Sequence, residues 1–209
     1  MFITLEGPDG SGKTSQVQPL AEHLRSLGYK VFTTREPGGT AIGDQVRTVL
    51  MSMKNTGMDS HTETLLFCSA RAQLVAEVIR PHLAAGDIVI SDRYADSTLA
   101  YQGYGHGNDL EMLRQVLKFA TGGLQPDLTV LFDVDAEIGL KRRISGGGEW
   151  NRMDAYALDL HSKVRKGYLE MAAADPVRWQ VIDASQSRDV VESSLKKVVL
   201  NWLNARPHG

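Results

Sequence analysis

Residues 7–14 read Gly7-Pro8-Asp9-Gly10-Ser11-Gly12-Lys13-Thr14, a full match to the phosphate-binding pattern G-x-x-x-x-G-K-[ST]. The flanks fit the chemistry. Phe2–Glu6 reads as a buried strand, and Ser15–Leu27 reads as a helix. Glycines let the backbone turn tightly and point successive N–H groups inward. The following helix adds its partial positive charge to that anion nest. Lys13 can reach terminal phosphates, and Thr14 can offer a hydroxyl to Mg²⁺.

The same alternation continues outward. Further strands are expected at Lys30–Thr34, Ile88–Asp92, Leu128–Asp133 and Trp179–Asp183. Helical patterns cover Ile42–Met51, His61–Ala85, Leu110–Thr121, Ala136–Ile144, Ala155–Ala174 and Val190–Asn204. Strand and helix in turn imply an α/β fold. Its sheet should be five-stranded, mostly parallel and covered by helices on both faces. Ligands of such sheets sit beyond the carboxyl ends of the strands. The polar clusters Gly7–Thr14, Arg35–Thr40, Asp92–Tyr94 and Asp133–Asp135 all follow strand ends. Ser145-Gly146-Gly147-Gly148, between two helical patterns, reads as a mobile flap rather than a linker.

Composition sets the remaining bounds. The 209 residues suit one domain, with 42% hydrophobic and 23% charged side chains. A net charge of −2 without a basic run argues against nucleic-acid binding. The single Cys68 forbids an internal disulfide, and the histidines show no metal-ligand spacing. The first residues read as a strand rather than a signal or transit segment, and no apolar run approaches the ~20 residues of a membrane helix. A soluble cytoplasmic protein without membrane partners is the expectation.

Several constellations remain two-sided on their own. Arg35-Glu36-Pro37-Gly38-Gly39-Thr40 either offers an arginine to a second phosphate or is a polar turn with Arg35 paired to a carboxylate. In Ser91-Asp92-Arg93-Tyr94, Arg93 can bridge phosphates and Asp92 can hold Mg²⁺ through water; a buried ion network is the alternative. Phe67 and Arg71, four apart on a helix, suit a nucleobase, though an ordinary amphipathic helix explains them equally. Tyr101-Gln102-Gly103-Tyr104-Gly105 either lines a pocket or ends a helix.

Together, the phosphate loop, R-E-P-G-G-T at 35–40, F-x-x-x-R at 67–71, D-R-Y at 92–94 and S-x-x-A-Y-Q-G at 97–103 resemble bacterial thymidylate kinase. The resemblance implies a single three-layer P-loop kinase domain that phosphorylates dTMP with ATP and Mg²⁺. Its monophosphate-binding region would span about 35–105 and its lid about 145–152. Gly7 to Thr14 and Arg143 would hold ATP. Asp9 would face the sugar 3′-hydroxyl and help organise Mg²⁺, with Thr14 and Asp92 as metal-side ligands. Arg35 and Arg93 would hold the acceptor phosphate, beside Glu36, Pro37 and Ser97. Phe67 would stack on thymine, Arg71 would bond its O4, and Thr98 and Gln102 would meet the rest of the base. Tyr101 would lie under the deoxyribose. A homodimer, formed through helices including 61–85, is also implied.

One departure stands out. The family places a phosphate-clamping arginine in the phosphate loop or mid-lid; here the loop's variable positions are Pro8, Asp9, Gly10 and Ser11, and Gly147 or Gly148 fills the lid slot. Arg152 is the expected substitute, with Arg143 second; the catalytic set is then Lys13, Asp9, Arg93 and Arg152. Another nucleotide kinase on the same scaffold is the nearest alternative. A GTPase switch would need an N-K-x-D or T-K-x-D element, which the chain lacks.

Overall fold

A computed structural model describes residues 1–146, 151–154 and 156–205. Residues 147–150 of the expected lid lie outside that description, as does Ala155. The strands are β1 (Phe2–Glu6), β2 (Val31–Arg35), β3 (Ile88–Asp92), β4 (Leu128–Asp133) and β5 (Trp179–Asp183). They form one five-stranded sheet in the order β2-β3-β1-β4-β5. Every neighbouring pair is parallel. β2 runs one residue further than its apolar run suggests, because Arg35 pairs in register with Asp92 of β3.

The helices are α1 (Lys13–Ser26), α2 (Ala41–Met51), α3 (Ser60–Leu74), α4 (Arg80–Ala84), α5 (Ala95–Thr98), α6 (Leu110–Thr121), α7 (Ala136–Ser145), α8 (Leu158–Ala174) and α9 (Arg188–Asn204). A π-helical turn, Val75–Ile79, joins α3 to α4, so the expected 61–85 helix is one continuous element with a wide turn inside it. Pro81, which has no amide hydrogen to donate, lies one residue beyond that turn, after Arg80.

Side-chain alternation divides the sheet into two faces. Ile3, Leu5, Ile88, Ile90, Val130 and Phe132 pack against α1 and α9. The opposite face sets Phe2 and Val89 against the end of α3 and the π-turn, and Leu131 against α8. Thr4 and Glu6 share that second face with Phe2, and all three are buried. Glu6 therefore ends a core strand as a buried acid directly beneath the strand-end loops.

The largest local departure from expectation is at 95–105. The glycine-broken aromatic run is helical throughout: α5 passes into a π-helical segment, Leu99–Gly105. Gly103 allows this, since a Cβ there would lie 2.4 Å from Leu110. The segment packs against α8, and Ala100 and Tyr101 point into the shared core.

Candidate active site

The phosphate loop leaves β1 at Gly7 and closes on α1 at Gly12. Gly7, Gly10 and Gly12 all take positive φ, of 149°, 74° and 86°. At Gly10 the requirement is doubled. A Cβ there would sit 1.9 Å from the carbonyl oxygen of Gly139 on α7, and one on Gly139 would sit 2.5 Å from the Asp9 carbonyl. The loop and α7 thus touch backbone to backbone. Lys13 is buried and donates from Nζ to the Pro8 carbonyl at 3.1 Å. Burial, reinforced by nearby Arg93, lowers its pKa to about 8. Pairing of Leu5 with Asp92 brings the end of β3 beside the loop. There the Thr14 hydroxyl donates to Asp92 Oδ2 at 2.5 Å.

Arg93 is the hub of the site. It is the only described non-glycine residue with positive φ, at 72°. A residue held there against its steric preference marks a functional position. Its Nη1 donates to the Gly7 carbonyl, Ser97 Oγ and Tyr168 OH, and its Nη2 to Asp9 Oδ1 and Tyr101 OH. Tyr101 OH in turn donates to Asp9 Oδ2 at 2.8 Å. Burial alone would raise the Asp9 carboxyl, but Arg93 and Lys13 bring it down to about 2.

Beneath this hub lies Glu6. Its carboxylate accepts from the Tyr94 amide, the Ser97 hydroxyl and the Tyr168 hydroxyl at 2.7, 2.6 and 2.8 Å. Burial, then Asp96, pushes its pKa up to about 7. Ser97 and Tyr168 touch both Glu6 and Arg93, so the acid braces the arginine from below.

A cavity of about 550 Å³ opens above these residues. Asp9, Lys13, Thr14, Asp92, Arg93, Ser97 and Tyr101 line it, together with Arg35, Glu36 and Pro37 from the turn after β2. Arg35 is half-exposed and pairs with Asp44 at 3.2 Å. Arg47 of α2 joins it, donating to the Pro37 carbonyl. At the other end stand Phe67, Thr98 and Gln102. Arg71 lies just behind this wall, 1% exposed. Its Nη1 donates to Thr98 at 3.0 Å, its Nη2 to the Tyr94 carbonyl, and both Nε and Nη2 meet Glu36 Oε2. The other Glu36 oxygen, Oε1, is buried with no hydrogen-bond partner in the protein.

The arginines near the lid fall differently from expectation. Arg152 is not at the cavity. It is buried, with Nε on the Leu50 carbonyl, Nη1 on Tyr156 and Nη2 on Glu63 of α3. Its backbone amide also donates to Met51. Arg143 does line the cavity, held at 2.7 Å through both Nε and Nη2 by Asp154. Arg142 lines it too and donates to the Ala184 and Ser185 carbonyls. A buried carboxylate, Glu63, drew Arg152 inward, whereas α7 carries Arg143 along the phosphate loop.

The family model described as thymidylate kinase matches residues 5–195. The chain belongs to the thymidylate kinase family. It is 49% identical to the thymidylate kinase of Roseiflexus castenholzii, over 99% of this chain and 96% of that one. It is equally identical to that of Herpetosiphon aurantiacus, over 93% of each. A crystal structure of thymidylate kinase from Ehrlichia chaffeensis matches with a TM-score of 0.77 at 37% identity, over 95% of this chain and 98% of that one.

Against this thymidylate kinase framework, sequence reading passed over Glu6, Arg47, Glu63 and Tyr168. Glu6 left a signal, a lone acid closing an otherwise apolar strand. Arg47 and Tyr168 left none, being ordinary polar and aromatic positions of helices. The remaining loop residues, Gly7, Pro8 and Ser11, supply backbone rather than cavity-lining side chains. Among the described residues no cluster of three or more acid, histidine or cysteine ligands could hold a metal, and no helix is long and apolar enough to cross a membrane.

Proposed function

We infer that the chain transfers the γ-phosphoryl group of ATP to dTMP, giving dTDP and ADP. One observation carries this reading. A single cavity holds a phosphate loop at one end, an aromatic and amide wall at the other, and Arg35, Arg47 and Arg93 between them. The acceptor is a phosphate oxygen already largely ionised near neutrality, so no strong base is needed. Catalysis reduces to positioning and charge neutralisation. Lys13 and Arg93 meet the transferring group, and Arg143 takes the clamping role on the donor side. Arg35 and Arg47 hold the acceptor phosphate. Asp9 orients the sugar and fixes Arg93, and Tyr101 packs beneath the deoxyribose.

The Thr14 hydroxyl and Asp92 carboxylate are hard oxygen donors at the cavity edge, and they fit Mg²⁺, which keeps several waters and takes few protein ligands. Bound there, Mg²⁺ would neutralise charge on the donor phosphates. Phe67 stacks on thymine, while Arg71 reads O4 from behind Thr98. Arginine only donates, so a cytosine amino group at that place sets donor against donor.

A coupled assay with ATP against a panel of nucleoside monophosphates tests this. Turnover fastest with dTMP is expected. No turnover, or a preference for a non-thymidine monophosphate, rejects it. We also read Leu65, Met112 and Phe119, exposed on α3 and α6 by 60%, 58% and 90%, as part of a homodimer face. Sedimentation at the monomer mass would remove that reading.

A further inference from the structure

Glu63 of α3 is 1% exposed and outside the cavity, yet it gathers the polar groups around the base end. Its Oε1 accepts from Gln102 Nε2 at 2.6 Å, with His106 Nε2 at 3.6 Å from the same oxygen. Its Oε2 accepts from Tyr156 OH at 2.6 Å and pairs with Arg152 Nη2. The Tyr156 ring packs edge-on against His106. A carboxylate paired with a guanidinium is an acceptor only. The end of Gln102 that faces it must therefore be the NH₂ end.

That settles what Gln102 can show the cavity it lines. With its Nε2 committed to Glu63, its acceptor end, Oε1, is left for a ligand. A carboxamide free to flip would present either a donor or an acceptor at equal cost. One whose nitrogen is held by a buried anion keeps its acceptor oxygen turned away from that anion. Thymine carries a donor at N3–H, and cytosine carries a lone pair at N3. An acceptor wall complements the first and opposes the second.

We propose that Glu63 is a specificity-determining positioning residue: it locks the Gln102 carboxamide so that an acceptor, not a donor, faces N3 of the nucleobase. This rests on the reading of Phe67, Thr98 and Gln102 as the base end of the cavity. It also gives Arg152 a part. The arginine neutralises Glu63 and keeps it an acceptor, which frees the donor-side clamp for Arg143.

The test measures kcat/KM for dTMP and dCMP in Glu63→Gln and in Gln102→Leu. A glutamine at 63 can accept or donate, so Gln102 can turn over. The dTMP to dCMP ratio should fall at least ~10-fold in Glu63→Gln, mainly through a raised KM for dTMP, with kcat largely kept. The paired change Glu63→Gln/Arg152→Gln removes both buried charges together. It should show the same fall, and it supplies the readout if the single variant does not fold. An unchanged ratio in a folded Glu63 variant, alongside a reduced ratio in Gln102→Leu, overturns the role of Glu63 alone. An unchanged ratio in Gln102→Leu overturns the base-end reading and this proposal with it.

Discussion

The two ends of the cavity handle charge in opposite ways. At the phosphate end, Arg93, Arg35 and Arg143 pair with Asp9, Asp44 and Asp154 but line the cavity, and Lys13 and Arg47 beside them form no ion pair among the described residues, which leaves a positive surplus. At the base end, the cations are withdrawn: Arg71 and Arg152 are 1% and 3% exposed and are each tied to a buried glutamate. The ligands explain the contrast. Phosphates reward unbalanced positive charge in a dry cleft. A neutral base gains nothing from net charge and is read by the direction of donors and acceptors. Pairing each cation with an acid cancels the field and keeps the direction.

The sharpest way to break this comparison is Arg71→Ala. If the base-end arginine is part of a neutralised pair, removing it strands Glu36 as an uncompensated buried charge. A loss of about 3–5 kcal/mol in unfolding free energy is expected, along with a lower dTMP to dCMP ratio. Denaturant titration that finds wild-type stability would show that the pair is not what holds this wall.

Lys13→Ala should do the reverse. It stands at the unbalanced end, so folding should survive while kcat falls by about 3–4 kcal/mol of transition-state stabilisation, more than dTMP affinity falls. Near-normal turnover in the folded variant would remove Lys13 from the chemistry.

The lid arginines separate the two ends most directly. Arg143→Ala should lower kcat at least ~10-fold, about 1.4 kcal/mol, with dTMP binding little changed. Arg152→Ala should instead lower the melting temperature, because Glu63 loses its cation. If Arg152→Ala shows the catalytic loss and Arg143→Ala does not, Arg152 reaches the site by a motion and the assignment reverses.

The smallest effect is a pH dependence at Glu6. Its pKa is raised in the folded state from 4.5 to about 7. The folded protein then holds a proton that the unfolded chain has released between those values. The stability this contributes is complete below pH 4.5 and is lost as pH rises through about 7. The melting-temperature difference between wild type and Glu6→Gln, taken as wild type minus variant, should therefore shrink from pH 5 to pH 8. A difference that stays constant over that interval would mean Glu6 is ionised throughout, held down by Arg93.

Backbone-coded features were open to reading from the sequence, and side-chain partnerships were not. The phosphate loop depends on glycines and a lysine at fixed spacing, so Gly7–Thr14 announced itself. The strands followed from apolar runs such as Ile88-Val89-Ile90. Residues 95–105 were harder, because Gly103 and Gly105 are ordinary helix breakers. Only their contacts with Leu110 and Val164 show why a side chain is absent there. The fate of Arg152 was beyond reach for a similar reason. Nothing in the local sequence says that Glu63, on a helix far back in the chain, lies buried and in need of a cation. Arg47 likewise gains meaning only once α2 closes on the turn after β2 and brings it to the cavity.

The contact between Gly10 and Gly139 works as a spacer of fixed length. Two backbones meeting without side chains cannot come closer, and any substitution forces them apart. The distance from the phosphate loop to Arg142 and Arg143 is then set by main-chain geometry alone and is insulated from drift in the surrounding core. Arg142 and Arg143 follow Gly139 within about one helical turn of α7, so the spacer holds the roots of both side chains at a set height over the phosphate loop.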